Sequence, residues 1–211
     1  VINGTIPLAN GYETMLLLSW LIMLVSVLTT RKLQLMTTFG LLMSGFMILV
    51  SHLGEMDPSI TPRMPVLNSP LLSIHVSIIM ISYALLSLTF ISAIAYFLTC
   101  NSKRESVMAA NRQLTVLSQI FLYPAITTLG LGIFIGAIWA NISWGSYWGW
   151  DPKETWALIT FMIYAIPLHT NSFSALGKPK NYHLFMLLSF FSILMTYFGV
   201  NYILGGMHSY A

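Results

Sequence analysis

"LLSIHVSIIMISYALLSLTFISAIAYFLT", residues 71–99, runs from end to end without one Asp, Glu, Lys or Arg. A helix crossing a bilayer core of ~30 Å needs about 20 predominantly apolar residues. The stretch is therefore read as a membrane span, with length to spare for tilt or for extending past the hydrocarbon. The remainder of the chain has the same character. Of its 211 residues 7% are charged and 56% hydrophobic, and the mean hydropathy is +0.77. A soluble domain carries about 25% charged residues. No water-facing surface can be assembled from this composition, which points to an integral membrane protein.

Working outward, six segments satisfy the length and apolarity of a span: about 12–30, 33–53, 71–99, 121–140, 154–171 and 183–204. They are separated by "RKLQ", "GEMDPSITPRMPVLNSP", "NSKRESVMAANRQ" and "NSFSALGKPKNY", and by a tryptophan-rich stretch before the fifth. The expected fold is all-α and polytopic, a single membrane domain over residues 1–211 with about six transmembrane helices. The chain opens on Val1 and no signal-peptide pattern precedes the first span, so it reads as a piece of a longer one.

Charge sets the orientation. Arg31, Lys32, Lys103, Arg104, Arg112, Lys178 and Lys180 fall at one side of the spans, Arg63 and Lys153 at the other. Basic loops stay in the cytoplasm, which places both termini and the tryptophan-rich stretch outside. Glu13, Glu55, Asp57, Asp151 and Glu154 share that outer side. The net charge of +3 comes from basic residues scattered at span ends. It is no nucleic-acid signal. The one cysteine, Cys100, supports neither a disulfide framework nor a thiolate metal cluster and reads as a small hydrophobe.

The tryptophan-rich stretch, about residues 141–156, holds Trp144, Trp148, Trp150 and Trp156, four of the chain's six tryptophans. Tryptophan gathers at membrane interfaces because its ring is amphipathic. Asp151-Pro152-Lys153-Glu154 carries the marks of a helix start: Asp as N-cap, Pro at N1, Glu at N3. Anchoring and capping do not account for all of it. If the segment is helical, Trp144, Tyr147, Trp148 and Asp151 share one face. Rings set among Gly145 and Gly149 would then form a flat apolar floor suited to a large planar ligand.

"WGSYWGWDPKETWALITFMIYAIPLHT", residues 144–170, resembles the WWD signature of the haem-handling cytochrome c assembly family, in its CcsA/ResC branch, of which CcmC and CcmF are relatives. "LLSIHVSIIMISYALLSL" at 71–88 and "NYILGGMHSYA" at 201–211 agree with that branch. The resemblance implies a haem-handling subunit of cytochrome c biogenesis (System II). Haem b would be its cargo, presented on the outer face for attachment to the CxxCH cysteines of apocytochrome c. It also implies a place in a cytochrome c synthase beside a CcsB/ResB-like membrane partner. The location would be the bacterial inner membrane or the thylakoid membrane.

The chain has five histidines: His52, His75, His169, His183 and His208. A lone membrane histidine is ordinarily a hydrogen-bonded packing residue. His75 lies near the outer end of the third span, and His208 lies just past the sixth. Both could reach the level of the tryptophan segment, and two imidazoles are a common axial pair for haem iron. The resemblance assigns His75 and His208 as ligands of an outer haem above Trp144, Trp148, Trp150 and Asp151. It assigns His169, ~22 Å along the fifth span from Glu154, to an inner haem. The second inner ligand has no match in the chain and is expected from the partner. His52 and His183 match no motif. No side chain reads as a catalytic acid or nucleophile, because the reactive thiols belong to the substrate and catalysis would be positioning.

Two other classes fit the sequence less well. A haem- or quinone-linked electron-transfer subunit would pair histidines at matching depth across two helices, usually twice, and here only the outer pair is level. A secondary transporter would carry charges and broken helices near the midplane. No acidic or basic residue lies deep in any span.

Overall fold

The computed structural model describes residues 8, 10–29, 34–53, 69–169 and 172–204. Among these residues the chain is helical, with no strand. Helix α1 is Gly11–Leu28, α2 Gln34–Leu53, α3 Pro70–Thr99, α4 Glu105–Trp144, α5 Pro152–Ala165 and α6 Pro179–Leu194. A 3-10 turn, Ile166–His169, extends α5, and α6 runs on into a π-helical stretch, Met195–Leu204. Four of these helical segments are long and apolar enough to cross a membrane: Gly11–Leu28, Pro70–Thr99, Glu105–Trp144 and Pro179–Leu204. Met36–His52 is a shorter apolar helix. The chain is a polytopic membrane protein.

Helix α3 is the axis of the bundle. In its most apolar window 78% of residues are buried inside the protein, against 28% for α1 and 33% for α4. It packs against α1, α2, α4 and α6. This central position explains its sequence. A helix surrounded on all sides has no polar face to show, so it is apolar all round rather than amphipathic. Its small hydroxyl residues Ser82, Ser87, Thr89 and Ser92 are buried, and each donates to a backbone carbonyl 2.7–2.8 Å away: Ala125, Tyr83, Leu86 and Leu88 respectively. These four hydroxyls are thus paired in a medium without water.

Two expected boundaries shift. The sequence predicts a fourth span at 121–140 with a loop before it, yet α4 begins at Glu105 and its 40 residues give it about 60 Å of length. The reason is a helical stripe inside the supposed loop: Asn111, Leu114, Ser118, Phe121 and Leu122 are buried at three- and four-residue spacing. Asn111 accepts a 2.7 Å bond from Thr99 at the end of α3. The sequence predicts a fifth span at 154–171, but the α-helix is over at Ala165 and tightens into the 3-10 turn Ile166–His169, which holds Pro167. Proline at that position lacks the N–H an α-helix requires.

The polarity of the helices gathers particular ends together. The N-termini of α1, α3 and α5, the C-terminus of α4 and the π-helical end of α6 meet at one end of the bundle, where residues from all five line one cavity. The opposite end carries Lys103, Arg104, Arg112, Lys178 and Lys180.

Candidate functional site

The cavity at the tryptophan end has a volume of about 190 Å³. One wall is α3 and α4, with Leu72, His75, Val76, Ile133, Gly136 and Trp139. The polar part of the lining comes from α1, α5 and the π-helical stretch: Asn10, Thr14, Lys153, Tyr197 and Asn201. Trp148 reaches the cavity from the loop above.

His75 is held in one orientation. Its Nδ1 lies 2.8 Å from the carbonyl oxygen of Gly132. A carbonyl only accepts, so Nδ1 carries the proton and donates, and Nε2 carries the ring's lone pair. This arrangement, Nδ1–H to a backbone carbonyl, is the one found behind metal-ligating imidazoles. Gly136 makes room for it. A Cβ built there would stand 2.6 Å from Cε1 of the His75 ring.

The tryptophan segment is not the continuous helix that the one-face reading needed. Helix α4 ends at Trp144, and Gly145 takes a left-handed conformation (φ 79°) as its C-cap. From there to Asp151 the chain is a loop, so Trp144, Tyr147, Trp148 and Asp151 do not form one stripe. The rings separate into three roles instead. Trp144 packs edge-on against the buried Trp139 at 4.8 Å and pins the loop to the start of α3. Trp148 faces the cavity. Trp150 is 70% exposed and meets Trp148 edge-on at 5.8 Å. Trp150 also has φ 56°, the single positive φ at a non-glycine among the described residues. That conformation costs of order 1–3 kcal/mol for such a residue, so the loop must be held by other bonds.

Those bonds come from the helix start. Glu154 Oε2 accepts from the backbone N–H of Gly149 at 2.8 Å and of Asp151 at 3.2 Å, while Asp151 Oδ2 accepts from Lys153 N at 3.1 Å. The capping expectation for Asp151 and Glu154 thus holds, and Asp151 is buried. Asp151→Asn is accordingly expected to be mild, since Asn caps about as well as Asp, whereas Asp151→Ala should cost about 1 kcal/mol. Comparing protein level and thermal stability of the two variants in detergent checks this; equal loss in both would mean the charge itself is needed.

The remaining candidates lie elsewhere. His169 ends the 3-10 turn at the far end of α5, where it is exposed with Nδ1 3.1 Å from the Ala165 carbonyl. It does not line the cavity. His52 is exposed at the end of α2. His183 is fully buried between α3 and α4, stacked on Tyr96 at 4.3 Å with Nε2 2.9 Å from Thr115 Oγ1. His208 lies outside the described residues. Sequence reasoning did not select Gly132, Gly136, Trp139, Lys153, Tyr197 or Asn201. Lys153 stands inside the motif, where the sequence marks it as an outer-side charge in the helix start. The others sit in apolar runs where no local signal marks them.

A family description, Cytochrome C assembly protein, matches residues 8–208. The chain belongs to the cytochrome c assembly protein family. Protein NrfI of Wolinella succinogenes is 42% identical over 217 residues, covering 100% of this chain and 24% of that protein. The cytochrome c biogenesis protein CcsA of Chlamydomonas reinhardtii is 33% identical, covering 99% of this chain and 62% of its own length. CcsA of Prochlorococcus marinus (strain NATL1A) is 32% identical, with 99% and 77% covered. The chain therefore spans about a quarter of NrfI and about three-fifths of the algal CcsA. Within this assembly family member, the donor set at the cavity is one oriented imidazole set among aromatic and apolar side chains, with polar side chains from α1, α5 and the π-helical stretch completing the lining. That suits an axial ligand to a metal already held in a macrocycle better than the first coordination sphere of a bare ion.

Proposed function

We propose that the chain is the haem-handling membrane subunit of a cytochrome c biogenesis system, presenting haem b at the outer face for attachment to the CxxCH cysteines of apocytochrome c. The single observation that carries the reading is the pairing of His75 with Trp148 on one cavity, His75 being locked by Gly132 so that Nε2 carries the lone pair. The family membership and the similarity to proteins named for cytochrome c biogenesis support it. His75 and His208 are the axial pair in this reading. Trp148 contacts the macrocycle, and Trp144 and Trp150 shape the loop above it.

The chemistry asked of the protein is positioning. In thioether formation a cysteine thiol adds across a haem vinyl group. The S–C bond forms, the vinyl π bond is lost, and the thiol proton ends on the neighbouring carbon, with no net oxidation. The protein must hold the vinyl edge where the thiols reach it and keep the iron ligated, a contribution of proximity and orientation. The outer face is the tryptophan end of the bundle, because the basic residues cluster at the other end.

His169 belongs in this reading to a separate, inner haem site whose second ligand a CcsB/ResB-like partner supplies. Its exposed position supports that, since a ligand from another chain needs access to it. The test is to purify the protein alone and with such a partner and count haems per complex. Co-purification should give a low-spin six-coordinate ferrous spectrum, and the protein alone should hold haem poorly. His169→Ala should reduce the haem reaching the outer site, with added imidazole restoring it. Full bis-histidine haem in the isolated chain after loss of both His75 and His208 would overturn the partner assignment.

A further inference from the structure

Trp150, whose backbone has φ 56°, stands between two amides that point at one atom. The N–H groups of Gly149 and Asp151 both donate to Glu154 Oε2, at 2.8 Å and 3.2 Å. Successive backbone N–H groups beside a left-handed residue turn to the same side of the chain and form a concavity that holds an anion. The positive φ at Trp150 is thus what brings both donors onto one carboxylate oxygen. Helix capping explains half of this. In a capping box the N3 side chain accepts from the N-cap N–H, which here is that of Asp151. The shorter bond goes to Gly149, two residues before the cap and outside the helix. Gly149 lies between Trp148, which faces the cavity, and Trp150, which meets Trp148 edge-on at 5.8 Å. Glu154 therefore grips the chain between the two rings, and it belongs to the cavity lining itself.

We propose that Glu154 is a positioning residue of the outer site: its carboxylate, seated on the N–H groups of Gly149 and Asp151, holds Trp150 in its left-handed form and so keeps Trp148 presented to the macrocycle. The proposal rests on the reading of the cavity as the outer haem site. Glu154 acts through the rings and not on the iron. An ionised acceptor suits the task, because hydrogen bonds to a carboxylate are roughly twice as strong as neutral ones and offset the strain of a left-handed tryptophan. Without the carboxylate, Trp150 relaxes to a negative φ. The peptide planes on both sides of it then turn, and Trp148 is carried off the cavity.

The test titrates two probes, haem b and metal-free protoporphyrin IX, into the purified complex of the full-length protein and follows the Soret band. Glu154→Ala should bind both probes about tenfold more weakly, the value of one charged hydrogen bond, because the macrocycle has lost a contact. Bound haem should keep its low-spin spectrum, because His75 is untouched. Glu154→Gln, whose amide oxygen accepts from the same two N–H groups, should restore most of the affinity. Unchanged affinity for both probes in Glu154→Ala would overturn the proposal. A loss for haem with none for the metal-free porphyrin would overturn it too, since it would place the effect at the iron. So would an equal loss in Glu154→Gln and Glu154→Ala. Amide hydrogen exchange on the native protein needs no variant to fold: the N–H groups of Gly149 and Asp151 should exchange slowly, and exchange at the rate of an open chain would overturn the grip. Failure of the underlying haem site would look different: His75→Ala would then leave the haem titration unchanged, whatever Glu154→Ala does.

Discussion

Replacing His75 by Ala is expected to abolish stable haem retention and cytochrome c maturation while leaving the protein in the membrane at its usual level. The expected loss exceeds the roughly 10- to 100-fold typical of removing a residue that only orients a ligand. The fold should survive because the imidazole lines a cavity instead of filling the core, and its bond is to one carbonyl of an intact helix. Free imidazole should enter the vacated space and restore both haem retention and maturation in part, since it can reproduce the axial bond without the tether. His208→Ala is expected to behave the same way. Pull-down of the complex followed by absorption spectroscopy, with and without imidazole, measures it. Wild-type maturation in both variants would remove the axial assignment.

Gly136→Ala should produce nearly the same defect without touching a candidate ligand. The added Cβ would stand 2.6 Å from Cε1 and 2.8 Å from Nδ1 of His75, well inside contact distance. The ring cannot yield without disturbing its 2.8 Å bond to the Gly132 carbonyl. The expected result is a loss of haem affinity of roughly 10- to 100-fold, the range for losing the support of a ligating histidine. The spectrum should shift away from six-coordinate low-spin, and added imidazole should correct it. Gly145 gives the control, since nothing stands within 4 Å of its Cβ position. A substitution there strains the loop through its positive φ and should lower stability without moving the ligand spectrum. An unchanged spectrum in Gly136→Ala would show that the ring has room the geometry denies it.

The membrane class was legible in the length and apolarity of residues 71–99 taken with the scarcity of charge along the whole chain. The helix start at Asp151-Pro152-Lys153-Glu154 was equally legible, since capping is local chemistry among neighbours in the chain. His75 and Trp148 could each be nominated from motifs. The sequence could not say that Gly145 would break the helix and divide the rings among three roles. Nor could it place the end of α5, where Pro167 decides, or extend α4 back to Glu105, where the stripe from Asn111 onward is masked by polar neighbours.

What the sequence by itself determined is therefore whatever depends on transfer to lipid or on residues a turn apart: an all-helical membrane protein, its apolar segments, the cap at Asp151. Only the tertiary structure decided that Lys153 and Asn201, 48 positions apart, share a hydrogen bond and line the same cavity as His75. It alone showed that Gly132 and Gly136 on α4 are the cradle of a histidine on α3. The physical reason is that such pairs are set by how helices dock. Hydropathy fixes that a helix is buried but says nothing of its rotation, and a rotation of one residue's width would have turned His75 to a different neighbour.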